Sequence, residues 1–520
     1  MNRSLYRTLG VSICLMLTLG LSFSSGQEES TASLPAIFSE VLDVRVVNLE
    51  VVVTDKSGVP VRGLRPEDFI LRVDGEEVPV EYFSEIRGGV AAPPSDQQKD
   101  LGIAELPAVI AGEPIETSYL VYIDEVFAIS RDRDKVVRGL IDDLARLGPN
   151  DRMAIVAYNG KEIEMLSTWS QSQRELERVL KKSLERPVYG LQRLAEQRQY
   201  NFDAFLRASI DIRDGVRADD RFLRTNLDPN ERFFLERLTG QIQSSVTAAT
   251  IALRSFAMPP GRKVMLLYSG GWPFFPTTFL GPRISPIVAW TEGQRGGELF
   301  SPLSDAANLL GYTVYPVDVP GFNDTLATAN DNLTRAQEPL PVELGFNSFL
   351  REQENQYTLT WIARQTGGRA LINSARENAL EEVVADTRSF YWLGFSPNRG
   401  WDDRRHDVKV EVRERSFKVR ARNDFLDSSK QHEVAMALES TLLFGNPAGI
   451  EGLTVEIGES KRSGRKRMQV PISILIPLSE VTFLPDGGEY VAGLELRVAV
   501  RDESGRRAEI PTVPVEVRLD

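Results

Sequence analysis

The residues best placed to do chemistry are carboxylates and a hydroxyl at the ends of apolar runs. Asp124 and Glu125 follow the run Tyr119–Ile123, and Ser269 follows Val264–Tyr268, with Trp272 three positions on. If both runs are parallel strands, these residues and Phe127 gather at the carboxyl ends of the sheet, the usual ligand side of an open α/β sheet. Asp124, Glu125, Phe127, Ser269 and Trp272 are therefore the candidate ligand-binding face. The loop Gly270-Gly271-Trp272-Pro273-Phe274-Phe275-Pro276 adds an aromatic cluster. Exposed, it is an interaction patch of the kind rich in binding hot spots; buried, it packs against a neighbouring insertion.

Catalytic material is scarce. The only histidines are His406 and His432, and neither lies in a His-Glu-x-x-His or Ser-His-Asp setting. His406 opens a strand and reads as a solvated edge residue. Gly270-Gly271 and Gly487-Gly488 are turn signals, since neither sits in a phosphate-cradling Gly-x-x-x-x-Gly-Lys or Gly-x-Gly-x-x-Gly loop. The basic run Lys461–Arg467 reads as a charged hairpin turn, with contact to an anionic envelope surface as the alternative. No catalytic residue is assigned. The competing reading is a secreted hydrolase or processing enzyme whose Asp and Glu side chains come from residues 187–227.

The 520-residue chain carries 74 acidic against 61 basic residues, a formal charge of −13 that repels phosphate backbones, so nucleic acid is not an expected partner. Arg3 and Arg7, the apolar run Leu9–Leu21 and the small residues Ser22, Ser24, Ser25 and Gly26 form a secretory signal pattern over residues 1–26. Cleavage is expected between about Ser25 and Glu29, with an uncleaved membrane anchor as the alternative, giving a secreted or periplasmic protein with no further transmembrane segment. Cys14, the one cysteine, lies inside the apolar run. The mature chain then has no thiol for disulfides, nucleophilic catalysis or thiolate metal sites.

The length calls for several cores. Residues 40–86 read as a small β module: a valine-rich strand from Asp43 to Asp55, then a hairpin turning at Asp74-Gly75, where both positions tolerate positive φ. Residues 87–116 read as a linker. From 117 to 397 strands and amphipathic helices alternate, with an insertion at about 187–227, which predicts a doubly wound, mostly parallel α/β domain. Its expected strands are 119–123, 153–158, 264–268, 313–319 and 390–395, in one sheet. A β-hairpin and helical connector over 404–446 and a C-terminal β-sandwich over 450–520 complete the chain.

Several stretches carry a family resemblance. They are Val51–Asp55 with Leu64–Phe69, Leu120–Asp124, Gly261–Val264 with Tyr268–Gly271, Val314–Asp318, Ala363–Arg369 and Phe390–Pro397. On these, residues 119 to 395 resemble a von Willebrand factor A domain, and the whole resembles the VWFA-related proteins found in Acidobacteria. The resemblance covers about residues 43 to 422 and implies an exported protein with a β module, an A domain and β-rich C-terminal structure, and it carries over no particular biochemical activity. A domains that bind ligands through Mg²⁺ carry Asp-x-Ser-x-Ser after the first strand and Thr-Asp-Gly or Ser-Asp-Gly after the central one. Here the loops read Asp124-Glu125-Val126-Phe127-Ala128 and Ser269-Gly270-Gly271. Two hydroxyls and a carboxylate are missing from an ion that wants about six oxygens. No cofactor and no Mg²⁺ are expected, with Asp124 and Ser269 as remnants of the site and Glu125, Ser130 and Asp318 as the oxygens nearby. The expected function is an exported binding or scaffolding protein whose A-like domain engages a protein or cell-envelope ligand.

Overall fold

The computed structural model describes residues 8–13, 46–93, 112–213, 226–256, 261–280, 296–319, 342–397, 402–427 and, discontinuously, parts of 429–438 and 454–519. The chain divides into two units, Arg45–Ser440 and Met1–Val44 with Thr441–Asp520.

In the first unit, five strands form a mixed sheet in the order Tyr312–Asp318, Arg262–Ser269, Thr117–Asp124, Arg152–Tyr158, Ile163–Ser170. The first four are parallel and the last is an antiparallel edge. Every residue of Thr117–Asp124 is buried, as a strand covered on both faces must be. Alternation then sorts its side chains. Leu120 and Tyr122 point into one core with the helices Pro229–Ser255 and Gly296–Leu310. Tyr119, Val121 and Ile123 point into the other, with Ser130–Asp143, Gln173–Ser183 and Ala379–Thr387. The helix starts follow sequence cues: Asp228 accepts from the N–H groups of Asn230 and Glu231 in a capping box, with Pro229 at the first helical position.

Phe390–Phe395 is not in this sheet. Ser389–Phe395 lies between Val47–Thr54 and Tyr82–Arg87 in an antiparallel sheet completed by Lys418–Arg420 and Val90–Ala91. A second antiparallel sheet runs Asp424–Leu426, Arg405–Val412, Phe69–Val73, Glu76–Val78. Both sheets bury side chains in one core, including Leu49, Val51, Phe69, Leu71, Tyr391, Leu393 and Phe425. The β module expected at 40–86 is thus completed by strands from 389–426, and Val90–Ala91 draws part of the expected linker into it. The chain leaves this module after Val90–Ala91 and re-enters it at Ser389, which is paired with Arg87. Asp74 and Gly75 turn the hairpin at φ 51° and 87°, the two positive values this sequence predicts.

Arg262 bolts the two parts together. It is 1% exposed, donates to the Thr387 carbonyl at 2.9 Å, lies 2.8 Å from Glu50 and sits 4.1 Å over the Phe390 ring. A buried cation needs such compensation, and here it comes from both domains.

The second unit is built from antiparallel strands, among them Thr454–Ile457, Ile472–Pro477, Glu489–Leu496 and Val513–Leu519. Thr8–Ile13, within the expected signal sequence, pairs with Ile472–Pro477. Among the described residues no helix is long and apolar enough to cross a membrane. Of the expected helical connector, only His432, Val434 and Leu438 are described.

Candidate functional site

Asp124 ends the central strand at the carboxyl edge of the sheet and is fully buried. The chain turns over it, so the N–H groups of Val126 and Phe127 donate to Oδ1 at 3.0 and 3.3 Å. From the adjacent strand, the Ser269 hydroxyl and the Trp272 indole N–H each donate to Oδ2 at 2.9 Å. Four donors thus surround a carboxylate with about four acceptor positions. Burial nevertheless lifts its pKa to about 6, because the donors only partly replace lost hydration.

The other expected face residues are equally enclosed: Glu125, Phe127, Ser269 and Trp272 are each 0% exposed. They lie together at the strand ends, as expected, but inside the protein. Two long-range contacts account for this. The segment after Gln173–Ser183 crosses the loop, where Tyr189 N–H donates to the Glu125 carbonyl and Gly190 N–H to that of Ala128. A β-carbon on Gly190 would fall 2.4 Å from the Ala128 oxygen, so only glycine permits that approach. On the other side, Gly271, at φ 78°, meets Asn355 of the helix Val342–Gln365, and Thr358 donates to the Trp272 carbonyl at 2.6 Å.

Glu125 makes a two-pronged ion pair with Arg186, including Nη2 to Oε2 at 3.2 Å. Hydrogen bonding to Glu125 raises the Arg186 pKa. Arg186 also reaches Glu164 at 2.6 Å. Buried Arg133 donates to the carbonyls of Ser183, Leu184 and Arg186, capping one helix end and holding Arg186 in place. Arg133 drew no notice in the sequence; its place among the apolar positions of an amphipathic helix was the available signal. Asp318, at the end of its own strand, accepts from Arg376 at 3.2 Å, yet burial lifts its pKa to about 6. Ser130 is exposed.

The residues do not fit the Mg²⁺ that the A-domain resemblance suggests. Val126 and Ala128 point into hydrophobic cores, Gly270 brings no carboxylate, and the Asp124 oxygens face N–H and O–H donors. A cation needs acceptors there, and Asp124 Oδ2 already accepts from the Ser269 hydroxyl and the indole N–H.

The aromatic loop is divided in its exposure. Trp272 and Phe274 are buried, whereas Phe275 is 41% exposed and Tyr357 beside it 49%. Phe274 meets Phe275 and Tyr357 edge-on at 5.0 and 4.7 Å, so two exposed aromatics rest on one buried ring. In the insertion, Glu196 accepts from Arg193 and Arg237, and Asp203 from Gln199. Its other acids lie outside the residues whose side chains are described.

His406 is not a solvated edge residue. It is 6% exposed, its Nδ1 lies 2.8 Å from Asp74 and its Nε2 lies 3.2 Å from both oxygens of Asp402.

No protein-family profile matches this chain, nor does any curated protein. Among solved structures, the chain is similar to the PilB minor pilin from Streptococcus sanguinis, at 10% identity and a TM-score of 0.25, over 67% of this chain and 87% of that one. So loose a superposition carries no argument about function. The fold evidence is the sheet itself: four parallel strands, one antiparallel edge and helices on both faces are consistent with a von Willebrand factor A-like core.

Proposed function

We propose that this chain is an exported binding or scaffolding protein, not an enzyme, in which an A-like domain engages a protein or cell-envelope ligand without a metal at its strand-end loop. The observation that carries the reading is the closed hydrogen-bond knot on Asp124, which includes Trp272 of the loop bearing the exposed Phe275. The knot fills the acceptor positions of Asp124, and it fixes the loop that presents Phe275 to solvent, while the helix Val342–Gln365 presents Tyr357. Rigid exposed aromatics are favoured contact residues because they offer large area at little cost in conformational entropy. Contact is therefore assigned to Phe275 and Tyr357, with Asp124, Glu125, Phe127, Ser269 and Trp272 as the framework beneath. The secretory pattern at residues 1–26 supports a secreted or periplasmic location.

The test is capture of partners from envelope extract by the full chain, in EDTA and in millimolar Mg²⁺, beside a Phe275→Ser/Tyr357→Ser double variant. The same partners should be retained in both buffers and lost with the double variant. Mg²⁺ should leave the melting temperature unchanged, since only an ion that binds the folded state raises it. Partner binding that needs Mg²⁺ and disappears in Asp124→Ala would refute the reading.

A further inference from the structure

A second cluster lies in the β module, away from the strand-end loop, and has the opposite chemistry. Asp402 precedes the strand Arg405–Val412, His406 lies within it, and Asp427 follows the partner strand Asp424–Leu426. Their positions are fixed by backbone pairing: His406 is in register with Phe425, Asp403 N–H donates to the Asp427 carbonyl, and Asp427 N–H donates to that of Arg404, both at 3.0 Å. The Asp402 side chain also accepts from the Arg404 N–H at 2.9 Å, which closes the turn.

The imidazole is held on two sides. Its ring packs against Phe425 at 5.3 Å, and Nδ1 is 2.8 Å from Asp74 of the hairpin turn. Asp74 is itself anchored by the Asp407 N–H at 3.0 Å. The carboxylate of Asp74 holds a proton on Nδ1, so a metal that displaces the proton from Nε2 would meet a correctly oriented lone pair. That nitrogen faces Asp402, and a ligand atom from each of His406, Asp402 and Asp427 lies within 4.8 Å of the others. His406 and Asp427 are 6% and 3% exposed, while the Asp402 side chain at 28% leaves a route to solvent. The neighbouring cation Arg405 is directed to Asp305 and Asp424, at 3.0 and 2.6 Å.

We propose that Nε2 of His406 and the carboxylates of Asp402 and Asp427 form a binding site for a first-row transition-metal dication such as Zn²⁺, with Asp74 orienting the histidine from outside the ligand set. Ligand bonds of about 2.0–2.2 Å place neighbouring ligand atoms roughly 3.3–3.5 Å apart in a tetrahedron, close to the separation of Nε2 and Asp402. One nitrogen with two carboxylates suits Zn²⁺, Co²⁺ or Mn²⁺ better than Mg²⁺ or Ca²⁺, which prefer oxygen throughout. Three protein ligands leave a fourth position for water. Bound metal would clamp both ends of the Asp402–Asp427 segment and, through Asp74, the Asp74-Gly75 turn. It would act as a structural pin.

The test uses the tag-free full chain, in which His432 is the only other histidine, after chelator treatment. Titration with Co²⁺ should give one equivalent with a visible ligand-field band, displaced by Zn²⁺ and not by excess Mg²⁺. Asp402→Asn, at a partly exposed position, and His406→Gln should each weaken Co²⁺ and Zn²⁺ binding at least tenfold. Asp74→Asn should weaken it about 10- to 100-fold, as loss of an orienting partner does. Circular dichroism establishes that each variant is folded, and Asp124→Asn should bind like the parent. Failure of the parent to bind Co²⁺ or Zn²⁺ at sub-millimolar concentration would overturn the proposal, since Nε2 then carries a proton shared with Asp402. Binding that persists undiminished in both folded variants, Asp402→Asn and His406→Gln, would overturn it equally.

Discussion

Asp124 at the end of the parallel sheet and His406 in the β module are both buried, and both are held through contacts to distant segments. What surrounds them differs in sign. Asp124 is an acceptor ringed by donors: two backbone N–H groups, a hydroxyl and an indole. His406 stands among carboxylates, with Asp74 at one nitrogen and Asp402 at the other. A buried carboxylate ringed by donors has its acceptor positions already taken, whereas carboxylates converging on an imidazole lower their repulsion by sharing a proton or a metal. The presence of acidic residues therefore says little about a metal; the polarity of the groups facing them decides.

Trp272 gives the largest expected effect on this contrast. Trp272→Ala removes a fully buried indole and a donor to Asp124, and should cost about 3–5 kcal/mol of unfolding free energy in denaturant titration. Trp272→Phe keeps most of the packing and removes only the donor, at a cost of about 1–3 kcal/mol. Equal losses in the two variants would mean that the ring's volume contributes nothing and that the knot alone holds the loop.

The pH dependence of stability is the next largest. The folded pKa of Asp124, about 6, lies above the ordinary carboxylate value of 3.8, so the fold favours the protonated acid. Its contribution is fully present below about pH 3.8 and is lost as pH rises through about 6, a change of about 3 kcal/mol. Measured against Asp124→Asn, the parent's relative stability should fall by that amount across this window. Asp318, also lifted to about 6, is present in both proteins and cancels. A flat difference would show that the four donors fully compensate burial.

Ser269→Ala should have the smallest effect, about 1–2 kcal/mol, because three donors to Asp124 remain. A loss as large as that of Trp272→Ala would mean that the knot fails as a unit.

Much of the fold was legible because fully buried parallel strands are nearly continuous apolar runs, as in Thr117–Asp124 and Arg262–Ser269. The same property misassigned Phe390–Phe395: an apolar run announces burial without naming the sheet that buries it. Ile163–Ser170 escaped notice because an edge strand is only half buried, so its pattern is mixed. At the strand-end loop, the placing of Asp124 and Ser269 followed from the strands, but their enclosure depends on Gly190 and Asn355, which approach from remote segments. His406 was misread for the same reason, since Asp74 stands 332 positions away. Local pattern reports which face is covered; it does not report which distant donor or acceptor covers it.

The pairing of Arg87 with Ser389 has a mechanical consequence. The chain enters and leaves the α/β domain at adjacent points of one sheet, so tension applied at residues 45 and 427 is carried by the antiparallel strands of the β module. The hydrogen bonds joining Tyr82–Arg87 to Ser389–Phe395 must shear before the backbone of the inserted domain can be drawn out from its two ends. Within this unit the α/β domain is thus an insertion whose entry and exit are fastened to each other, and pulling on the flanking segments loads the stem of paired strands first.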